Sequence, residues 1–531
     1  MLNLLWPGGF SAPVIQCDIE FLKVDWTPSF FPATFLPSIR ESVELILEQK
    51  QRGPDIRLVM GIVSLALLLR LLFVAQVLRE NTPAGIAAFN WDSREYLHLA
   101  HNLATQGRYV YDDDPVPAAP AEGGADPDPL AQQVSRQVSH HYGLLRTPGY
   151  PVFCAIFEKF GSLAGGVLIT QAILGALIPL GVLFLGFALF RNQTAAGGAA
   201  LLSAISSTGI GLSGMFLVDL LLAVCVLGGF GLLYIGLTRR CTWPYLASGA
   251  AFGIGLLVKP SLLYWPVAMV PITLLLAKGL DCEIAWRRLA ITAILPWVAA
   301  GAWSLRNQNV EGGFTFCSVD AQNLRHFLAP LVEETAKTGH LPAAEDVWKN
   351  HYAARNRDWD DMASGQRSPM QITARQRAES LAILTHHPFH TMVAIVKNAF
   401  DCSISGWAYT RLQTPSYSPI QRIVHYSNRY LFFFGMFPAY LLMLVAMIEP
   451  MFTGEGLKVP ENRRRFFLHA ALLATLGYFL LISGTSFSTG FRILYPAEFA
   501  LVLLTVSGAV ALVRMIAPEV ESEADLVAET P

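Results

Sequence analysis

Long apolar runs separated by short polar turns dominate the chain. A membrane-spanning helix needs about 20 mostly apolar residues. Runs that approach this length cover about 58–78, 163–190, 195–214, 220–237, 243–258, 261–277, 289–305, 427–449, 466–484 and 493–514. The pattern predicts an all-α polytopic membrane protein with about ten transmembrane helices, within a range of about eight to twelve.

The polar stretches divide this array into regions. We predict the following division: a lead-in at 1–57, a membrane module at 58–305 with a long first loop at 79–162, a second polar segment at 306–426, the last spans at 427–514 and an acidic tail at 515–531. Within the first loop, residues 112–135 are rich in Pro, Ala, Gly and Asp. Such a composition cannot bury a core and predicts a flexible insertion.

The distribution of Lys and Arg among the short loops predicts the orientation. With the N-terminus inside, one side collects the basic residues, and both long segments fall on the other side. The basic loops contain Arg52, Arg57, Arg191, Arg239, Arg240, Lys278, Arg287, Arg288, Lys458, Arg463, Arg464, Arg465 and Arg514. Segments 79–162 and 306–426 are therefore predicted to be extracytoplasmic, and the lead-in and tail to be cytoplasmic.

Composition supports the membrane class. The chain has 531 residues, is 53% hydrophobic and only 15% charged, and its mean hydropathy is +0.42. A net charge of −2 gives no reason to expect a nucleic-acid partner. The seven cysteines show no C-x-x-C or metal-ligand spacing. His140 and His141 are more typical of a solvated loop than of a metal site, so no metal is expected, and a divalent cation is the alternative.

Two amphipathic stretches lie beside the predicted spans. Residues 89–114, "FNWDSREYLHLAHNLATQGRYVYDDD", predict a helix at 93–105 whose Tyr96, Leu99 and Leu103 form an apolar stripe on the membrane surface. Asp92 and Glu95 suit a capping box at its start. Residues 391–407 predict an interfacial helix, with an extra span as the alternative.

Five charged residues far apart in sequence fall at the predicted outer boundary. These are Asp92, Asp219, Lys259, Arg306 and Arg492. Each has a simple structural explanation, because the acids suit helix caps and the bases suit anchors at the membrane surface. Together they suit a reaction in which an acceptor is deprotonated while a phosphate departs. Arg70, inside the first span, is expected to face the bundle interior or to reach towards the surface, with no catalytic role.

Several stretches resemble one family when they are taken in order. "WDSREYLHLAHNLATQGRYVY" and "RTPGYPVFCAIFEKFG" resemble the first-loop motifs of bacterial GT-C glycosyltransferases, relatives of protein O-mannosyltransferases and of the lipid A aminoarabinose transferase. Further matching stretches are "LVDLLLA", "LVKPSLLYWP", "LPWVAAGAWSLRNQNVEGGFTFCSVDAQNL", "HHPFHTMVAIVKN" and "FRILYPAEF". The resemblance runs from about residue 58 to residue 514 and implies a GT-C fold.

The resemblance also implies a function. It implies an inverting transferase in the inner membrane that moves a sugar from a polyprenyl-phosphate carrier to an extracytoplasmic lipopolysaccharide, another glycolipid or a protein. Asp92 would act as general base and Asp219 would be the second catalytic acid. The remaining roles are phosphate binding for Lys259, Arg306 and Arg492, and substrate binding for Tyr96, Arg146 and Tyr150.

One departure and one alternative accompany this interpretation. Where the mannosyltransferase branch often has Asp-Glu, this chain has Asp92-Ser93, which argues against mannose and a protein acceptor. The alternative function is a transporter or flippase of lipid-linked sugars. Such a protein is expected to show paired repeats and broken helices near the bilayer midplane, and no repeat is visible in the sequence.

Overall fold

The computed structural model describes residues 54–88, 91–110, 143–191, 193–342, 347, 357–358, 361, 367–404, 419–453, 456–486 and 490–516. Every regular element in these ranges is helical. The helices are α1 Ile56–Glu80, α2 Pro83–Ala88, α3 Trp91–Gln106, α4 Gly149–Lys159, α5 Leu163–Phe190, α6 Gln193–Ala204, α7 Ser207–Ser213, α8 Asp219–Arg239, α9 Trp243–Val258, α10 Trp265–Gly279, α11 Trp286–Glu311, α12 Val319–Asn323, α13 Ala329–Thr338, α14 Pro369–His386, α15 Pro388–Ile404, α16 Pro419–Phe452, α17 Pro460–Gly484 and α18 Glu498–Ile516.

Each predicted apolar run overlaps a helix. Six of the described helical stretches are long and apolar enough to cross a membrane. They are Ile56–Glu80, Leu163–Phe190, Asp219–Arg239, Trp286–Glu311, Pro460–Gly484 and Tyr495–Val513. The pair α6 and α7, bent by 46° at its break, adds a possible seventh, and Trp243–Val258, Trp265–Gly279 and Met436–Phe452 are shorter apolar helices. The all-α, multi-pass character is confirmed, whereas ten spans and the GT-C fold stay predictions.

Neighbouring helices are joined by hydrogen bonds between side chains and backbone carbonyls. Ser248 of α9 donates to the carbonyl of Gly229 in α8 at 2.7 Å, and Thr292 of α11 donates to the carbonyl of Tyr245 in α9 at 2.8 Å. Short polar side chains of this kind commonly join membrane helices. Because α8 and α9 are joined by a short turn, the first residue of α8 and the last residue of α9 lie at the same end of the bundle.

An aromatic cluster fixes the turn that follows α9. Trp265 is buried, with its ring centroid 5.3 Å from that of Phe252 and 5.1 Å from that of Tyr478. The Tyr478 hydroxyl donates to the carbonyl of Ser261 at 2.5 Å. This contact ties α17 to the 3₁₀ turn Pro260–Leu262, directly after Lys259.

The stretch predicted as an interfacial helix forms α15. Phe389, Met392, Val396 and Phe400 are exposed along it, and Asn398 donates to the carbonyl of Gly484 at 3.3 Å. The helix is not among those that qualify as spans. Its location at a membrane surface stays a prediction.

Several predictions concern residues outside the described ranges. They are the lead-in up to residue 53, the insertion at 112–135, the pair His140 and His141, and the tail from residue 517.

Candidate active site

Six charged side chains form a continuous chain of ion pairs at one end of the bundle. Their signs alternate in the order Lys259, Asp219, Arg492, Asp92, Arg146 and Glu95. They come from the start of α3, the loop before α4, the start of α8, the end of α9 and the 3₁₀ turn Gly490–Ile493. Sequence positions up to 400 residues apart therefore meet in one place.

Asp92 lies between two arginines. Nη2 of Arg146 donates to its Oδ1 at 2.6 Å, and Nη2 of Arg492 donates to its Oδ2 at 2.5 Å. Arg146 also uses its Nε, which donates to Oε2 of Glu95 at 2.6 Å. Arg146 thus bridges two acids that are three residues apart on α3, a spacing that places side chains on one helix face.

Asp219 is the most deeply buried member of the chain. Its side chain is fully buried, and Nζ of Lys259 donates to its Oδ1 at 2.5 Å. Its Oδ2 lies 3.1 Å from Nε of Arg492, but neither atom has a hydrogen bond of normal geometry with any described residue. The centre of the network therefore has unused hydrogen-bonding capacity, which is costly in a buried site and typical of a site that takes a ligand.

Helix starts explain the positions of both acids. Asp92 and Asp219 lie in the first turns of α3 and α8, where the helix dipole favours negative charge. The Ser93 hydroxyl donates to the carbonyl of Phe216 at 3.1 Å. This bond ties the first turn of α3 to the segment that leads into Asp219.

The "RTPGYP" motif packs against the end of α9. The Thr147 hydroxyl donates to the carbonyl of Val258 at 3.1 Å. A Cβ on Gly149 would lie 2.7 Å from the backbone of Leu257 and Val258, so only glycine permits this approach. The motif therefore places Arg146 close to the residue that follows Val258, which is Lys259.

The two predicted tyrosines support this arrangement. The guanidinium of Arg146 lies over the Tyr96 ring at 5.2 Å, and the Tyr96 and Tyr150 rings meet edge to face at 5.1 Å. The buried Tyr150 hydroxyl donates to Gln171 at 2.7 Å. Gln171 in turn donates to the carbonyls of Leu212 and Met215. Tyr150 is thus buried with its hydroxyl bonded to Gln171, whereas the ring of Tyr96 contacts the guanidinium of Arg146.

Arg306 is the one charged residue of the predicted site that lies outside the chain of six. Its Nη2 donates to the carbonyl of Tyr109 at 2.9 Å, and its guanidinium lies 5.0 Å from the Trp303 ring centroid. The Tyr109 hydroxyl donates to the carbonyl of Arg146 at 2.9 Å. Arg306 therefore neighbours the site through Tyr109 without joining its ion pairs.

Burial and charge act against each other on the ionisable groups. Burial alone would raise the pKa of Asp92, but the positive charges of Arg146 and Arg492 hold that pKa well below its usual value. Burial raises the pKa of Glu95, and the single nearby Arg146 offsets this only in part. Burial lowers the pKa of Arg492, but the negative charges of Asp219 and Asp92 raise this pKa by more than burial lowers it. The arginine therefore stays charged.

Two expectations about α3 need correction. Tyr96 and Leu99 are buried and Leu103 packs against the core, so the apolar stripe does not lie on the membrane surface. The "RTPGYP" helix α4 covers that face. The helix begins at Trp91 rather than at residue 93, and both Asp92 oxygens bind arginines, so the carboxylate does more than cap a helix.

Sequence reasoning left two members out of the predicted site. Glu95 was assigned only to the cap, although its spacing from Asp92 could have indicated a shared partner. Gln171 lies inside an apolar span, and a polar residue at such a depth is a signal in itself.

Among the described residues, no group of three or more His, Cys, Asp and Glu side chains is arranged to hold a metal ion. A scan against protein-family models finds no matching family, and a search of curated proteins finds no significant match. The resemblance to GT-C glycosyltransferases therefore depends on the quoted motifs alone.

Proposed function

We propose that the protein is a membrane glycosyltransferase that takes its sugar from a polyprenyl-phosphate donor and works on the extracytoplasmic side of the inner membrane. The acceptor is a hydroxyl or amine of lipopolysaccharide, another glycolipid or a protein. The observation that carries the proposal is the convergence of seven predicted residues on one partly buried site. Five of them form ion pairs, and Tyr96 and Tyr150 pack beneath them.

The cationic side chains of the site offer hydrogen-bond donors to an incoming phosphate. Three acids and three bases alternate, so the chain of six is formally neutral without a ligand. Arg492 is held by two carboxylates, and a phosphate offers the same kind of anionic oxygen acceptor. A donor phosphate would therefore compete with Asp92 and Asp219 for Arg492 and Lys259.

The proposed reaction needs one base and one stabilised leaving group. The acceptor oxygen or nitrogen attacks the anomeric carbon, the bond from that carbon to the phosphate oxygen breaks, and polyprenyl phosphate leaves with the bonding electrons. Arg492 and Lys259 stabilise the charge on the departing phosphate, a role for which cations in a water-poor site are effective. The acceptor proton passes to Asp92, and attack opposite the phosphate inverts the anomeric centre.

The low pKa of Asp92 makes donor binding part of this mechanism. A carboxylate between two guanidinium groups is a weak base. When the donor phosphate takes hydrogen bonds from Arg492, its negative charge offsets the positive charge beside Asp92. The pKa of Asp92 then rises towards the range useful for proton transfer, so the base is activated only when the donor is in place.

One observation favours the alternative function. The break between α6 and α7, with its 46° bend, resembles the interrupted helices at transporter binding sites. A flippase would move the lipid-linked sugar intact, whereas a transferase breaks the sugar–phosphate bond.

Proteoliposomes supplied with a panel of polyprenyl-phosphate sugars and candidate acceptors would distinguish the two. We expect release of polyprenyl phosphate together with a glycosylated acceptor. Movement of intact donor across the bilayer without release would contradict the proposal.

A further inference from the structure

A second polar cluster lies inside the bundle, separate from the chain of six. Arg70, in the middle of α1, is fully buried, and its Nη1 donates to the carbonyls of Ala66 and Ala204 at 3.1 and 3.0 Å. Its Nε and Nη2 have no hydrogen bond of normal geometry with any described residue, nor do Oη of Tyr495 and Oε2 of Glu498. Both Tyr495 and Glu498 are buried. The expectation that Arg70 faces the bundle interior is confirmed.

The break between α6 and α7 brings these groups together. A Cβ on Gly209 would lie 2.5 Å from Oη of Tyr495 and 3.0 Å from Nη2 of Arg70, so glycine is needed there. Ser206 caps α7 by accepting from the Gly209 amide at 3.2 Å. The same Ser206 hydroxyl donates to Oε1 of Glu498 at 2.5 Å. The helix break, its cap and the buried acid are therefore one connected unit.

The cluster and the site join the same two segments of the chain. Segment 206–219 begins with Ser206 and ends with Asp219, and segment 492–498 begins with Arg492 and ends with Glu498. Ser206 binds Glu498 at one end, and Asp219 pairs with Arg492 at the other. Tyr495 comes three residues after Arg492, and Glu498 comes six residues after it, with the 3₁₀ turns Gly490–Ile493 and Tyr495–Ala497 in this part of the chain.

We propose that Arg70, Tyr495 and Glu498 are positioning residues that set segment 492–498 against segment 206–219 and so hold Arg492 between Asp92 and Asp219. Unpaired polar atoms are costly in a membrane interior. The Tyr495 hydroxyl and Nη2 of Arg70 both lie against Gly209, and Glu498 binds Ser206, so the three side chains connect the two segments inside the bundle. The cluster acts through packing and hydrogen bonds. It makes and breaks no covalent bond.

Chemical labelling of Arg492 tests this role without any assumption about the reaction. Phenylglyoxal modifies accessible arginines, and mass spectrometry of peptides quantifies each site. Arg492 is 6% exposed and paired with two acids, so its labelling should be slow in the wild type. Glu498→Gln and Tyr495→Phe should each raise its labelling rate on the order of tenfold, because each weakens hydrogen bonds that hold the segment. Glu498→Asp, which keeps the charge, should restore most of the protection.

Glu449→Gln is the matched control. Glu449 is also buried in the helical bundle and pairs with Arg465, but neither residue contacts segment 492–498 through any described hydrogen bond or ion pair. Unchanged Arg492 labelling in folded Glu498→Gln and Tyr495→Phe proteins would overturn the proposal. An equal rise in Glu449→Gln would also overturn it, because the effect would then be general loosening.

A second readout rests on the proposed function. If the site binds phosphate, Glu498→Gln should weaken the affinity for farnesyl phosphate about tenfold, and it should add nothing to the loss caused by Arg492→Gln, since both act through one residue. Additive losses would overturn the positioning role. A wild type that does not bind farnesyl phosphate would contradict the proposed function, while the labelling result would still decide the role of the cluster.

Discussion

Two networks of acidic and basic side chains in the described structure differ in what they join. The chain of six at the bundle end unites five separate parts of the chain and leaves Asp219 and Arg492 with unused hydrogen-bonding capacity. The second network is local, and its central acid, Asp358, accepts from Arg375 and from Gln376, the latter at 2.9 Å. Both Asp358 oxygens are thus satisfied by α14.

The difference gives a criterion beyond burial for choosing a candidate site. Asp358 is almost as buried as Asp219, with 4% against 0% of its side chain exposed. What separates them is convergence of distant segments and incomplete hydrogen bonding. We therefore expect substitutions in the second network to affect folding alone, and equivalent changes in the chain of six to affect ligand binding as well.

The largest expected difference concerns the central arginine. Arg492→Gln leaves Asp92 and Asp219 without a shared cation, and breaking a buried pair costs about 3–5 kcal/mol. Arg325→Gln, in the second network, removes contacts to Asp358 and to the half-exposed Glu379 and should cost at most about 1 kcal/mol. Denaturant unfolding of both variants in detergent provides the comparison. Equal losses of unfolding free energy would remove the distinction between the networks.

Lys259 should have a smaller effect, mainly on donor binding. Lys259→Ala removes one phosphate ligand while Asp219 keeps Arg492 as a partner, so donor affinity should fall about tenfold, or about 1.4 kcal/mol. Lys259→Arg keeps the charge and should do less harm. Lys397→Ala, which breaks only the pair with Asp401 on α15, is the control and should leave affinity unchanged. Equal donor affinity in the wild type and Lys259→Ala would reduce Lys259 to a membrane anchor.

A smaller difference should appear in the pH dependence of stability. The folded-state pKa of Asp92 is lowered, so its ionised form stabilises the fold above the unfolded-state value of 3.8, and this contribution is lost as pH falls through the folded pKa. The stability gap between the wild type and Asp92→Asn should be constant from about pH 7 to 5 and should shrink below 3.8. Thermal unfolding over this pH series measures it.

Glu95 acts in the opposite direction and needs a control. Its folded-state pKa is raised, so its contribution is present below the unfolded value of 4.5 and is lost as pH rises through the folded pKa. The comparison of Asp92 with Asn at this position should therefore be made in proteins that also carry Glu95→Gln. A gap that does not change below pH 3.8 would contradict the arginine pairing of Asp92.

The smallest effect is expected in the first loop. The described ends of the stretch 111–142 lie close together, because a Cβ on Gly143 would be 3.1 Å from the Tyr109 carbonyl oxygen. A short linker can therefore replace residues 112–135 without moving the site. Turnover and membrane insertion should stay within about twofold of the wild type, given the tolerance of such loops to length change. Loss of activity in a folded deletion variant would give this stretch a role in the site.

The sequence predicted the helices better than it predicted their surroundings. Run length and hydropathy suffice for a helix such as Leu163–Phe190, whose predicted and observed bounds agree. An amphipathic pattern does not determine whether protein or lipid covers the apolar face of a helix. The stripe of Tyr96, Leu99 and Leu103 was therefore predicted to contact the membrane, although it packs against α4 and the core. Hydropathy did not indicate the break at Ser206, whose hydroxyl caps α7 locally and also binds Glu498, 292 residues away.

The same limit applies to the site. Charged residues at one predicted boundary indicated Asp92, Asp219, Lys259 and Arg492, because topology alone brings helix ends together. Topology could not distinguish Arg306 from these four residues, although its side chain contacts Tyr109 and Trp303 instead of joining the ion pairs. Pairing depends on side-chain direction, and this is set by packing rather than by position along a span.

The most direct test of the account is the turnover of Asp92→Asn measured beside its donor binding. Asn matches Asp in size and keeps one oxygen acceptor for the arginines, but it cannot take a proton. With a polyprenyl-phosphate sugar that the wild type uses, we predict a drop in turnover on the order of 10²–10⁴-fold, the usual effect of removing a general base, with donor binding at least as tight as in the wild type. Asp358→Asn, the matched change in the second network, should leave turnover per folded molecule unchanged. Near-normal turnover in well-folded Asp92→Asn protein would contradict the account, because the carboxylate would then serve only to hold its arginines.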